Sequence, residues 1–202
     1  MPDSLILASA SMSRRRMLAS AGLSFVVETA GVDEEEATRS LRANGAGPSE
    51  IATTLASMKA LRVSARRPES LVIGADSTLA CDGRLFDKPP TLADARQQLL
   101  DLAGRAHELC SSVVVARGGQ RLWHSAERAR LTMRPFDGRF VDAYLERAGE
   151  AVCSSVGAYQ LEGLGAHLFA RIEGDFFTIL GLPLLPLLGY LAQHGIGLEA
   201  TP

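Results

Sequence analysis

Short apolar runs alternate with four-residue periodicities along the chain. Residues 5–8 (LILA) and 71–75 (LVIGA) are brief, continuous and apolar, the length of buried strands rather than helices. Between them a helix is predicted over 14–21, with Gly22 as its C-cap, and a second strand over 25–28. Asp33, Glu34, Glu35 and Glu36 then read as an acidic turn, and the Gly-, Asn- and Pro-rich stretch 42–48 as a loop. From Ser49 onward Ile51, Leu55, Lys59 and Val63 recur every four residues, so Lys59 falls on the apolar stripe of an amphipathic helix. Asp82 and Gly83 are the residues of a tight hairpin turn that returns through Leu85 and Phe86 to Lys88, Pro89 and Pro90. Thr91 with Asp94 opens a helix bearing Leu92, Ala95, Leu99 and Leu102, which Gly104 ends. Gly118 and Gly119 join two halves of a long hairpin, 109–116 and 121–133. A further helix carries Phe140, Val141, Tyr144 and Leu145, and Leu168, Ala170 and Ile172 alternate as in a strand. Residues 179–191 read as a buried terminal helix with Pro183 in its first turn. Helices interleaved with strands and hairpins imply an α/β fold with a mixed sheet.

Composition narrows the function classes. The 202 residues are 47% hydrophobic, enough to bury one substantial core as one domain or two closely packed lobes. Lys and Arg number 21 against 23 Asp and Glu, which argues against a basic face for a nucleic acid polymer and leaves room for a small anionic ligand. No run approaches the roughly 20 apolar residues of a membrane helix, and the basic cluster follows the first apolar run, where a signal peptide's would precede it. Cys81, Cys110 and Cys153 are odd in number and widely spaced, which suggests a reducing, cytoplasmic setting. The four histidines are scattered and form no zinc pattern; Arg105 and His107 could face a ligand cleft or cap the preceding helix, and His107 reads as the cap.

Several residues stand out chemically, each with an ordinary alternative. Ser9, Ser11, Ser13, Arg14, Arg15 and Arg16 sit at a strand-to-helix junction, where free backbone N–H groups and the helix dipole favour an anion. A capped surface helix with solvated arginines is the other reading. Asp76 follows a buried strand, as a general base or divalent-metal ligand would, or as an ordinary hairpin residue. A two-residue loop at Asp82 and Gly83 would pair Ser77 with Lys88 and make Asp76 and Lys88 near neighbours, although strict alternation points them to opposite faces. Glu34 could ligate magnesium or lie in a solvated loop. An ammonium on an apolar stripe, as at Lys59, needs an anionic partner or a path to water. Glu162 lies in a glycine-rich segment that would let backbone approach a ligand closely, or simply turn.

These signals occur in the order found in the Maf family of nucleotide pyrophosphatases, which the chain resembles from residue 5 to residue 184. The matching blocks are LILASASMSRRRML, VDEE, LASMKA, VIGADSTLACDGRLFDKP, LAGRAHELCSSVVV, GAYQLEGLG and GDFFTILGLPL. The resemblance implies a single Maf-like domain over 1–202, elongated and two-lobed, with a twisted mixed sheet flanked by helices and a cleft between the lobes. It also implies a homodimer, a divalent metal such as magnesium or manganese, and cleavage of nucleoside triphosphates between the α and β phosphates to clear modified nucleotides. A nucleotide-binding regulator of cell division, without turnover, is the alternative. Carried over residue by residue, Asp76 would accept the proton, Ser9 and Arg14 would hold phosphates, Lys59 and Lys88 would neutralise charge, and Glu34 with Asp76 would place the metal. Ser13, Ser77 and Glu162 occupy the positions associated with substrate choice. Met12 and Ser13 depart from the usual proline followed by arginine or tryptophan, and Ser154 and Ser155 replace a usual Asp-Lys. Of the three selective positions only Glu162 agrees with the branch acting on 7-methyl-GTP, and none agrees with the thymidine and uridine triphosphate branch.

Overall fold

Two long strands, β3 (Leu71–Cys81) and β5 (Ala106–Arg117), run antiparallel through the middle of a seven-stranded mixed sheet. The structure is a computed structural model and describes residues 4–198. β1 (Leu5–Leu7) lies parallel to β3 on its other side, and β2 (Val26–Val27) lies parallel to β1. β6 (Gln120–Met133) and β7 (Phe169–Glu173) continue antiparallel beyond β5, while β4 (Arg84–Phe86) folds back on the end of β3. The hairpin turn at Asp82 and Gly83 has positive φ at both residues, as does that at Gly118 and Gly119, the geometry that matches strand twist. β1 stops opposite Ile73 and β4 ends opposite Leu79, so residues 74–78 of β3 have a strand neighbour only on the β5 side.

Helices cover both faces: α1 (Met12–Ser20), α2 (Glu34–Ala43), α3 (Pro48–Arg66), α4 (Leu92–Leu102), α5 (Gly138–Ala148), α6 (Phe176–Ile179) and α7 (Leu184–Ala192). Side chains close the first turns: Ser11 accepts from Arg14 N–H, Asp33 from Glu36, Thr91 from Asp94 and Asp137 from Phe140. Pro48 starts α3 where a missing N–H costs nothing. α3 lies directly on β3, because Gly74 leaves no side chain in the way; a Cβ there would stand 2.2 Å from the Ala56 carbonyl oxygen.

The odd-numbered face of β3 meets two apolar clusters, not one. Leu71, Ile73 and Ala75 pack with α1, α7, Val113 and Val115, whereas Leu79 and Cys81 pack with α4, α5, Leu109 and Leu131. Between the clusters stand Ser77 and its cross-strand partner Ser111, their hydroxyls 2.8 Å apart. On the opposite face Asp76, Thr78 and Ser112 hold the same level, above the small apolar patches formed with α3. A polar seam therefore crosses the sheet at mid-strand.

Several sequence expectations need correction. β3 does not end before Asp76 but continues to Cys81, because Ser77 bonds Ser111 and the Thr78 hydroxyl donates to the Pro48 carbonyl, so polar residues are satisfied inside a buried strand. The acidic turn is the first turn of α2, where the helix dipole favours carboxylates; no α2 residue is buried, so no apolar stripe announced it. The terminal helix is two helices, broken at Gly181, whose φ is +100°, and at Pro183, which caps α7 instead of lying in its first turn. His107 does not cap α4; Arg105 does, donating to the Asp101 carbonyl. His107 lies in β5 with Nε2 2.9 Å from the Tyr159 hydroxyl and Nδ1 buried without a partner among the described residues.

Gly74→Ala forces α3 off β3, and overpacking of that kind costs about 1–3 kcal/mol. A fall in thermal midpoint of roughly 2–12 °C is expected in a melting scan. Burial pushes the His107 imidazole down to about 4, while the unfolded chain takes up that proton near 6.5. Unfolding is thus favoured progressively as pH falls from about 6.5 to about 4, by up to roughly 3 kcal/mol across the window. Denaturant titrations of His107→Gln, which cannot titrate, should show a flatter dependence there.

Candidate active site at the polar seam

Two buried cations meet the seam from opposite faces of β3. Lys59 projects from the sheet-facing side of α3, where the four-residue periodicity placed it, and is 6% exposed. Its Nζ lies 2.5 Å from Asp76 Oδ1 and 2.9 Å from Glu34 Oε2. It thus has anionic partners in place of a path to water. Asp76 is itself 8% exposed, and its Oδ2 has no hydrogen-bond partner among the described residues. Glu34 reaches the lysine from the first turn of α2 and remains half-exposed. The arrangement brings together carboxylates from β3 and α2 and an ammonium from α3, three stretches far apart in sequence.

Arg14 approaches the other face from the first turns of α1. Its Nη1 donates to Ser9 Oγ at 3.1 Å, Nη2 to Ser77 Oγ at 3.1 Å and Nε to the Gly181 carbonyl at 2.8 Å. Ser111 Oγ, in contact with Ser77, donates to the Thr178 carbonyl at 2.8 Å. One network therefore ties the turn after β1 to β3, β5 and the segment joining α6 to α7. Burial pulls the guanidinium's pKa below its ordinary value, and the nearby Asp76 and Glu34 carboxylates act in the opposite direction. These carboxylates are thus electrostatic neighbours of Arg14 as well as of Lys59. No acidic residue lies in the first turn of α1, so its arginines face the positive end of the helix dipole. Arg15, half-buried, keeps an Nε with no partner among the described residues.

The match to known proteins settles the lineage. The Maf-like protein family matches residues 4–194. The chain belongs to that family. The nucleoside triphosphate pyrophosphatase of Paramagnetospirillum magneticum is 55% identical over 94% of this chain and 98% of its own length. That of Granulibacter bethesdensis is 56% identical over 94% and 96%. A 7-methyl-GTP pyrophosphatase of Rhizobium etli is 50% identical over 96% and 98%.

Within this Maf-like fold the residues singled out in the sequence do not all converge. Asp76, Lys59 and Glu34 touch one another, and Ser9, Arg14 and Ser77 form the second group. Ser13 Oγ lies 3.5 Å from Glu162 Oε1, whereas Ser77 is bonded by Arg14, the residue next to Ser13 in the chain. Lys88 is exposed, past the end of β4 at Phe86, and makes no hydrogen bond or ion pair with a described residue. The two-residue turn is present, but the ladder stops before Ser77 would pair with Lys88. The adjacent Asp87 is held by Arg42 of α2 and, through its carbonyl, by Gln98 of α4. Sequence reasoning passed over Ser111 and the carbonyls of Thr178 and Gly181. The paired serines inside the otherwise apolar LCSSVVVA were the available signal; a carbonyl leaves none.

Among the described residues no three His, Cys, Asp or Glu side chains gather as a metal centre. The two carboxylates on Lys59 are what the seam offers a cation, a set that suits magnesium held by one or two carboxylates plus ligand phosphates. Arg14→Lys keeps the charge but loses the fork that serves three acceptors, leaving at least one buried oxygen unpaired. A loss of about 2 kcal/mol is expected in chemical denaturation.

Proposed function

We propose that this chain hydrolyses nucleoside triphosphates to the monophosphate and pyrophosphate, with the seam as its active site. The observation that carries this reading is Asp76: a carboxylate in a buried strand, one oxygen fixed by a buried lysine and the other unpartnered. A purely structural ion pair has no use for that second oxygen, whereas a base needs one oxygen held and one free. The names of the nearby relatives, two nucleoside triphosphate pyrophosphatases and a 7-methyl-GTP pyrophosphatase, support the same reaction.

On this reading Asp76 takes a proton from water as the water oxygen bonds to the α phosphorus. The bond from that phosphorus to the bridging oxygen breaks, and pyrophosphate leaves with the electron pair. Lys59 holds Asp76 in place and presents its ammonium to the developing charge, the electrostatic contribution expected to dominate phosphoryl chemistry. Ser9 and Arg14, at the N-terminal end of α1, receive phosphate oxygens, and Lys88 closes on the polyphosphate from its exposed segment. Asp76 and Glu34 would hold a divalent cation, magnesium or manganese, which supplies charge neutralisation and acidifies bound water. Free Cys81, Cys110 and Cys153 suit a cytoplasmic enzyme. The homodimer rests on the family resemblance alone. Among the described residues no helix is long and apolar enough to cross a membrane.

Asp76→Asn is expected to lower pyrophosphate release by roughly 10²- to 10⁴-fold while nucleotide still raises the melting temperature. Unchanged turnover would remove Asp76 from the chemistry. Nucleotide binding by the unaltered protein without any release of pyrophosphate would instead favour the regulator.

A further inference from the structure

A closed ring of hydrogen bonds runs through Arg14. Its Nη2 donates to Ser77 Oγ at 3.1 Å, Ser77 Oγ meets Ser111 Oγ at 2.8 Å, and Ser111 Oγ donates to the Thr178 carbonyl at 2.8 Å. That carbonyl also accepts from the Gly181 N–H at 3.0 Å, and the Gly181 carbonyl accepts from Arg14 Nε at 2.8 Å. Ser111 is 0% exposed, so it touches no substrate. Resting on the proposed hydrolase reading, we infer that Ser111 is a positioning residue of the reaction, which closes this ring and thereby aims the guanidinium of Arg14 at the phosphates.

The chemistry of the groups fixes the direction of every bond in the ring. A carbonyl only accepts, so the Ser111 proton lies towards Thr178 and the Ser111 oxygen takes the proton of Ser77. The other acceptor near Ser77 Oγ is the Gly181 carbonyl, 3.5 Å away and already engaged by Arg14 Nε. With its proton turned to Ser111, Ser77 presents lone pairs to the guanidinium. Nη1 is held in turn by Ser9 Oγ at 3.1 Å. Three of the five guanidinium N–H groups are therefore fixed by protein oxygens, and one on each terminal nitrogen is left for a ligand. Without the Ser111 oxygen, the Ser77 proton turns to the Gly181 carbonyl and competes there with Arg14 Nε. The Thr178 carbonyl then keeps only the Gly181 N–H, and the guanidinium is loosened on two sides at once.

The test reads pyrophosphate release from whichever of GTP, UTP and 7-methyl-GTP the unaltered protein turns over fastest, and the inhibition of that turnover by added pyrophosphate. Ser111→Ala is expected to lower kcat/KM by roughly ten- to a hundredfold, the scale of a misplaced binding group, and to weaken the inhibition as well. In an Arg14→Lys background the same substitution should change neither reading further, because the ring is already open. Ser64→Ala removes an equally buried hydroxyl, bonded to the Leu61 carbonyl and the Gly119 N–H, and should leave both readings as they are. Ser111→Cys, a weaker donor, carries the same expectation should Ser111→Ala fail to fold. Full turnover and inhibition in the folded Ser111 variant, a loss matched by Ser64→Ala, or losses that add in the double variant would each overturn the inference. An unaltered protein that releases no pyrophosphate from any of the three triphosphates would instead defeat the hydrolase reading.

Discussion

An ammonium caged between two carboxylates, deep in the contact between a helix and a strand, sets the terms for the rest of this fold. Removing Lys59 and Asp76 from bulk water carries a desolvation cost that the attraction between them only partly offsets. Leucine or methionine at these positions would fill the space at less expense. Such a cluster is tolerable because α3 is pressed against β3 at Gly74, which brings the lysine within reach of its partners. The half-exposed Glu34 keeps one side of the cage in contact with solvent. The result is a polar group that is rigid and still reachable.

The sheet accommodates this by interrupting its own core. β3 and β5 are long enough to serve one apolar cluster at each end, and serines, a threonine and an aspartate occupy the interval. In most proteins a buried polar band of this kind would be a weak point. Here Arg14 spans it, with donors directed at the turn after β1, at β3 and at the bend before α7.

How much of this could be read from sequence depended on whether a residue's partners were local. The Asp82–Gly83 and Gly118–Gly119 turns, the cap at Thr91 and the stripe through Lys59 are local matters of backbone geometry and period, and all are present. The length of β3 was misread because Ser77 and Thr78 look like a strand end until Ser111 and the Pro48 carbonyl supply their hydrogen bonds. α2 escaped because a wholly solvated helix has no period to detect. At the site, Lys59 was conspicuous for its isolation on an apolar face, and Asp76 for its position after an apolar run. That Lys59 should find both Asp76 and Glu34, and that a backbone carbonyl at Gly181 should hold Arg14, are facts of three-dimensional closure. The family resemblance pointed to the same residues, but the pairings came from the fold.

The adjacency of Asp76 and Ser77 on β3 has a further meaning. Neighbouring residues of a strand face opposite sides of a sheet, so the acid belongs to the α3 side and the hydroxyl to the α1 side. A shift of β3 by a single position would exchange them, setting a serine against Lys59 and a carboxylate against the α7 cluster. The Asp82–Gly83 turn, which sets β4 against the end of β3, therefore does more than reverse the chain. With the Ser77–Ser111 pairing it fixes which residue of β3 looks which way and so keeps the carboxylate on the Lys59 side of the sheet.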